Sequence, residues 1–316
     1  METLSEENVL NVTELQPGQK HPEIFARFDN LAEGTSLTIL NDHDPKPLYY
    51  QLLGKRGNVF SWTYLEEGPE WWKVRIVKRL KDEIDPTLGE LAAADLRKVN
   101  IFKEYGLDYC CGGKKTVKEA CAEKGLDVTK VEKALQQADS IPHSRPLSFN
   151  DWTPGFLSDY IVNVHHTYVR KTLPELKMFS EKVASVHGGE QPELNSIAEL
   201  IEKISLEMNT HMMKEEKIVF PYIKSLANPS PDDAHADTGG PDAILESIAV
   251  MEMEHEVVGG HLEKIRMLSN NYHVPENGCA SYKAFYKLLE EFEEDLHMHV
   301  HLENNILFVK AAELKK

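Results

Sequence analysis

Two glutamates on the apolar faces of long helical stretches limit what this chain can fold into. Helical residues advance by about 100° each, so positions i, i+4 and i+7 share a face. In the stretch 191–226, His211 falls on the face that carries Ile197, Leu200, Ile204, Met208, Ile218 and Tyr222. Glu215 projects from that same face, whereas Glu216 points away. In the stretch 279–311, His299 and Glu303 fall with Phe285, Leu288, Phe292, Leu296 and Ile306. An unpaired buried charge costs roughly several kcal/mol. A core holding two carboxylates is therefore stable only if cations fill it.

Two further amphipathic stretches supply histidines. In 242–270, His255 shares its face with Ile244, Ile248, Met251, Val258 and Leu262, and His261 sits off that stripe. In 153–186, His165 and His166 are adjacent. Ile161, Val162, Val169 and Leu176 lie in phase with the first, and Val162, Val169 and Leu173 with the second, so periodicity leans to His165. In the last stretch His297 and His301 fall with Glu290, Glu293, Glu294 and Asn304, which predicts a solvated face.

Four such stretches predict an antiparallel four-helix bundle, the usual host for a metal site in a helical core. A single histidine on an apolar face is more often a hydrogen-bonded core residue. His-x-x-x-Glu on two inner faces, opposite inward histidines on the other two, is not explained that way. Imidazole with carboxylate suits iron, zinc or manganese. Four histidines and two glutamates exceed the needs of one zinc ion and match two metals, each with two nitrogens, bridged by both carboxylates. An oxide or hydroxide bridge would bring each metal to five ligands and leave a position open. Gly259, where the third helix could have carried another carboxylate, fits that count. Glu207 and Glu254 lie beside the ligand positions, where they could orient ligands, pass protons or be plain surface residues.

The rest of the chain divides by pattern. Its 316 residues suit two or three modest domains. Residues 1–19 read as a polar tail with a strand near Asn11–Leu15. Residues 20–82 read as a small α+β sandwich: helix Pro22–Leu31, strand Ser36–Leu40, helix Lys46–Leu53, and strands Val59–Leu65 and Trp71–Val77 about the turn Glu67-Gly68-Pro69. A short helical domain covers 86–140, a proline-bearing linker 141–152, and the all-α bundle 153–312. Within the bundle a polar loop runs from Asn228 to Pro241. The fold class is thus multidomain, α+β followed by all-α.

A net charge of −17 argues against gripping phosphates, which excludes nucleic acid as a partner. The longest apolar runs are too short to span a membrane, and the first ten residues are acidic where a secretion signal would be basic. These features predict a cytoplasmic protein. Of the four cysteines, Cys110 and Cys111 are adjacent and poorly placed to staple a fold, which suits a reducing compartment. Asp108-Tyr109-Cys110-Cys111-Gly112-Gly113-Lys114-Lys115 precedes Thr116-x-x-Glu119, a capping box. The glycines let the backbone pass close to a partner. The lysines and the helix start would favour thiolate, making Cys110 and Cys111 nucleophilic or metal-seeking; two small residues at a tight turn is the plainer reading. Cys121 and Cys279 have no such context and read as structural.

At these residues the chain resembles the iron–sulfur cluster repair di-iron proteins, the repair-of-iron-centres family. The Asp-Tyr-Cys-Cys-Gly-Gly block, His-Met-Met-Lys-Glu-Glu at 211–216, Met-Glu-x-Glu-His at 251–255 and His-x-x-Leu-Glu-Asn-Asn at 299–305 are similar to that family's motifs. The resemblance spans about residues 86–312. It implies a haemerythrin-like bundle with two non-haem iron ions, bridged by carboxylate and by oxide or hydroxide, on His166, His211, Glu215, His255, His299 and Glu303. An ungapped match from Asp159 to Leu173-Pro174-Glu175-Leu176 selects His166 over His165. The implied function is repair of iron–sulfur clusters damaged by nitrosative or oxidative stress, through iron donation, nitric oxide handling or both, with Cys110 and Cys111 assisting transfer. The alternative is a haemerythrin-like carrier or sensor of dioxygen or nitric oxide without turnover. Damaged iron–sulfur proteins and small diatomic ligands would be the partners, and a homodimer is compatible with the resemblance. Residues 20–80, with Asn41-Asp42-His43-Asp44-Pro45 and Glu66-Glu67-Gly68-Pro69-Glu70-Trp71-Trp72, resemble an uncharacterised family related to sulfur carriers. The carriers' cysteine is absent, since no cysteine precedes position 110. Asp42, His43 and Asp44 form either a polar site or a turn with a helix cap.

Overall fold

The computed structural model of the chain describes residues 8–57, 59–80, 85–139, 148–228, 241–276 and 278–314. Most of the expected loop 228–241 and of the linker 141–152 lies outside the described residues. The chain forms two compact units, Met1–Pro86 and Thr87–Lys316.

The first unit is a four-stranded sheet in the order β1 (Val9–Asn11), β2 (Ser36–Asn41), β4 (Trp72–Lys78), β3 (Phe60–Glu67). β1 runs parallel to β2, and the other pairs are antiparallel. Alternation along the strands sends Leu37 and Ile39 to one face, where they sit opposite Ile76 and Val74. That row shares a core with Ile24 and Phe28 of α1 (Pro17–Asp29) and Leu48 and Leu52 of α2 (Lys46–Arg56). The sandwich is thus one sheet with two helices. Part of the expected tail belongs to it, because burying Leu10 and Val12 ties 9–11 to β2 and starts α1 at Pro17. Residues 1–7 lie outside the described residues. Asp44 accepts from the Lys46 backbone N–H at the start of α2 and from Tyr64 Oη, while His43 and Asp42 pair on the exposed side. The Lys46 contact is local turn chemistry, whereas the Tyr64 bond ties Asp44 to β3.

The second unit opens with α3 (Leu88–Ala94), α4 (Arg97–Glu104), α5 (Val117–Lys124) and α6 (Val128–Asp139). Thr87 with Glu90 and Thr116 with Glu119 each form a reciprocal capping box. Val99, Phe102, Tyr109 and Val131 share one core with Val169, Leu173, Met208 and Phe292 of the bundle, so these helices pack with it as a single body.

Four long helices make the bundle. α7 (Pro154–Ile161) continues through a π-turn, Val162–His166, into α8 (Thr167–His187). α9 (Glu193–Lys214) continues through Glu215–Val219 into α10 (Phe220–Ala227). α11 (Pro241–Leu268) is α-helical throughout. α12 (Ala280–Leu302) continues through Glu303–Leu307 into α13 (Phe308–Glu313). None of the described helices is long and apolar enough to cross a membrane.

Candidate metal centre

Each π-turn begins or ends at one of the inward polar residues: His166, Glu215 and Glu303. Such a turn holds one residue more than an α-turn, so it delays the phase of everything beyond it. In the first helix Leu157 and Ile161 face inward four residues apart. The next inward residue is His166, five further on, followed by Val169, Leu173 and Leu176, all buried. The α-helical phase that favoured His165 does not survive this wide turn. His165 lies beside the centre instead, with Nδ1 3.0 Å from Asp295 Oδ1 and its ring stacked on His299. The same delay corrects the second helix. Ile218, expected inside, is 60% exposed, and Phe220 and Ile223 take the inner face.

The six expected residues converge on the bundle axis as two overlapping donor sets. His166, Glu215, His299 and Glu303 form one, and His211, Glu215, His255 and Glu303 the other; all donor atoms within a set lie within 4.8 Å of one another. Both glutamates belong to both sets. Glu215 turns Oε2 to His166 Nε2 at 3.2 Å and Oε1 to His211 Nε2 at 3.3 Å. Glu303 turns Oε1 to His299 Nε2 at 2.9 Å and Oε2 to His255 Nε2 at 3.2 Å. Nitrogens also face each other, His166 Nε2 to His299 Nε2 at 3.2 Å and His255 Nε2 to His211 Nε2 at 2.9 Å. Ligands at ~2.0–2.2 Å from a shared ion sit at about these separations from one another.

The electrostatics call for positive charge between these groups. Both carboxylates are fully buried, and both Glu215 oxygens and Glu303 Oε2 have no hydrogen-bond partner among the described residues. Burial opposes charge on His166, His211, His299 and both carboxylates. The carboxylates nevertheless push His166 and His211 up to about 10, and the imidazoles hold Glu303 well below the usual carboxylate range. Cations that displace those protons satisfy the same donors. Donor type, spacing and orphaned oxygens therefore fit metal binding.

A surrounding layer fixes the rings. His166 Nδ1 donates to Glu216 Oε1 at 2.7 Å, and Arg170 holds that carboxylate at 2.5 Å. His211 Nδ1 donates to Glu254 Oε2 at 2.9 Å, and Lys214 holds Glu254. His255 Nδ1 donates to Asn304 Oδ1 at 2.8 Å. Helical phase missed Glu216 and Asn304. Glu216 reaches across to the neighbouring helix rather than to the axis. Glu207 pairs with His261 at 3.6 Å. The face of His297 and His301, expected in water, is covered because Tyr109 packs on both rings; His301, Glu293 and Asn304 are buried.

The same covering segment sets Cys110 and Cys111 beside the centre. Asp108 Oδ1 accepts from both backbone N–H groups at 3.0 Å and from the Cys110 thiol at 3.1 Å. Cys111 Sγ lies 3.4 Å from the His255 carbonyl oxygen, and a Cβ on Gly259 would come within 3.0 Å of that sulfur. Gly259 thus makes room for a thiol rather than standing in for a carboxylate. Asn305 Nδ2 donates to Tyr109 O at 2.9 Å, and the amide fits against Gly89 and Gly113, where any Cβ would collide with it. The expected thiolate is corrected. Lys114 pairs with Glu252 and Lys115 with Glu123, leaving Asp108 as the nearest charge. Donation to Cys111, burial and Asp108 push the Cys110 thiol well above its ordinary value. Cys111 gains from accepting that bond, yet burial and Asp108 leave it raised as well.

Residues 158–311 match the hemerythrin HHE cation binding domain, 84–139 a domain of unknown function (DUF542), and 9–78 an uncharacterized conserved protein family (DUF2249). The iron–sulfur cluster repair protein YtfE of Musicola paradisiaca is 37% identical over 230 residues, 72% of this chain and 96% of its own length. The corresponding protein of Edwardsiella ictaluri is equally similar over the same span. A probable iron–sulfur cluster repair protein of Haemophilus influenzae is 38% identical over 234 residues, covering 97% of that protein. The chain belongs to the iron–sulfur cluster repair protein family. The repair proteins are matched over nearly their whole length, so the thiol segment and the bundle together fall within the shared architecture.

Proposed function

We propose that the chain holds two non-haem iron ions on His166, His211, Glu215, His255, His299 and Glu303, and that it repairs iron–sulfur clusters damaged by nitrosative or oxidative stress. The observation that carries this reading is the pair of donor sets sharing both buried glutamates, each carboxylate turning one oxygen to each set. The printed function of the relatives supplies the substrate class. When bound, iron would supply an exchangeable ion and open positions for nitric oxide or dioxygen. An oxide or hydroxide bridge would complete the centre.

The chain's own residues divide the work. Glu215 and Glu303 would hold both ions and offset part of their charge. Glu216, Glu254 and Asn304 keep three imidazoles turned with Nε2 inward. Cys110 and Cys111 stay protonated until a cation displaces their protons, so they would accept metal in passing rather than hold it. Damaged iron–sulfur proteins in the cytoplasm are the partners this reading requires.

The test combines the iron-loaded protein with an iron–sulfur enzyme inactivated by peroxide or nitric oxide. Recovery of enzyme activity that is lost in Glu215→Ala and Glu303→Ala supports repair. Reversible binding of nitric oxide or dioxygen with no recovery moves the reading to a carrier or sensor. Full recovery with Cys110→Ser/Cys111→Ser removes the thiols from the mechanism.

A further inference from the structure

We propose that the two halves of the centre are unequal, and that the ion between His166 and His299 is held more weakly and leaves first. This rests on the two-ion reading and adds which ion is the exchangeable one. The halves match in most respects. Each takes one oxygen from Glu215 and one from Glu303. Each has one histidine backed by a carboxylate that is itself held by a cation, Glu216 by Arg170 and Glu254 by Lys214.

The difference falls on the remaining histidine of each half. His255 Nδ1 donates to Asn304 Oδ1 at 2.8 Å, and the other end of that amide donates to the Cys110 carbonyl at 3.4 Å. Those two bonds fix which way the amide faces. His299 Nδ1 is buried and has no partner among the described residues. Its ring is kept in place by stacking on His165, with centroids 5.7 Å apart and planes 12° from parallel. Stacking positions a ring but feeds no electron density into the ligating nitrogen. A hydrogen bond to the second nitrogen does both, and losing one typically weakens metal binding by ~10–100-fold.

Ferrous iron is added stepwise, without oxygen, to the metal-free full-length protein against a calibrated chelator. The expected result is two equivalents bound in two steps whose dissociation constants differ by ~10–100-fold. His299→Ala leaves one tight step and His255→Ala leaves one weak step. Asn304→Ala, which alters no ligand, brings the two steps together and serves where a ligand variant fails to fold. Two steps of equal affinity, a separation that Asn304→Ala leaves unchanged, or a single weak step in His299→Ala overturns the inequality while the two-ion reading stands. Uptake of one equivalent or none overturns both.

Discussion

Thiol chemistry differs sharply among the four cysteines. Cys279 sits exposed at the N-cap position of α12, where the neighbouring His187 and the backbone N–H groups of the helix start hold its thiol below the ordinary value. Its sequence context gave no hint of this, since His187 is remote in the chain. Cys110 and Cys121 are buried with raised values. Iodoacetamide at about pH 7.5 therefore labels Cys279 first, read by peptide mass spectrometry; earlier labelling of Cys110 contradicts the assignment. Gly259→Ala sets two effects against each other. Alanine favours the helix by about 1 kcal/mol, while its Cβ meets Cys111 Sγ at 3.0 Å. The sulfur is the movable end, so the variant keeps its stability and its Cys111 is alkylated faster. An unchanged rate means the contact does not constrain the thiol. His165→Leu retains two equivalents of metal, and His166→Ala loses at least one; the reverse pattern restores the simple α-helical phase.

At the scale of the helix, the π-turns decide which side chains face the axis. α11 lacks such a turn, and there the sequence periodicity holds along its length: Ile244, Ile248, Met251, His255, Val258 and Leu262 are all buried. In the other three helices the phase slips by one residue at the centre. A pair of substitutions after Glu215 measures that slip. Ile218→Lys falls on an exposed position and changes stability by no more than about 0.5 kcal/mol. Phe220→Ala removes a ring that is 2% exposed and costs about 3–5 kcal/mol. Urea unfolding of both variants checks this, and a large loss at Ile218 would refute the shifted phase.

For the whole molecule, the two compact units imply separate responses to metal. Every proposed ligand lies in the unit beginning at Thr87. Bound ions stabilise a fold by about 4 kcal/mol each when free metal exceeds the dissociation constant by about 1,000-fold. Stripping metal with a chelator should lower one calorimetric transition and leave that of the sheet unit in place. A joint shift would show that the units unfold together.

The sequence by itself determined the classes of element and pointed to a cation-binding core. Apolar periodicity marks four long helices, and two carboxylates on their inner faces need positive charge beside them, from protons on the facing imidazoles or from metal ions. It also carried the motifs at 108–113, 211–216, 251–255 and 299–305 that tie the chain to its family. Tertiary structure alone decided the rest. A face rich in His297, His301, Glu293 and Asn304 reads as solvated because periodicity counts polarity along one helix and cannot see what lands on it. Here Tyr109 and the 87–139 helices land on it. Periodicity alone leaned to His165, and only the family resemblance selected His166, because the phase turns on a helical turn one residue wider than usual; the supporting bonds of Glu216 and Asn304 cross between helices remote in sequence. Such features arise from packing, where distance in space replaces spacing along the chain.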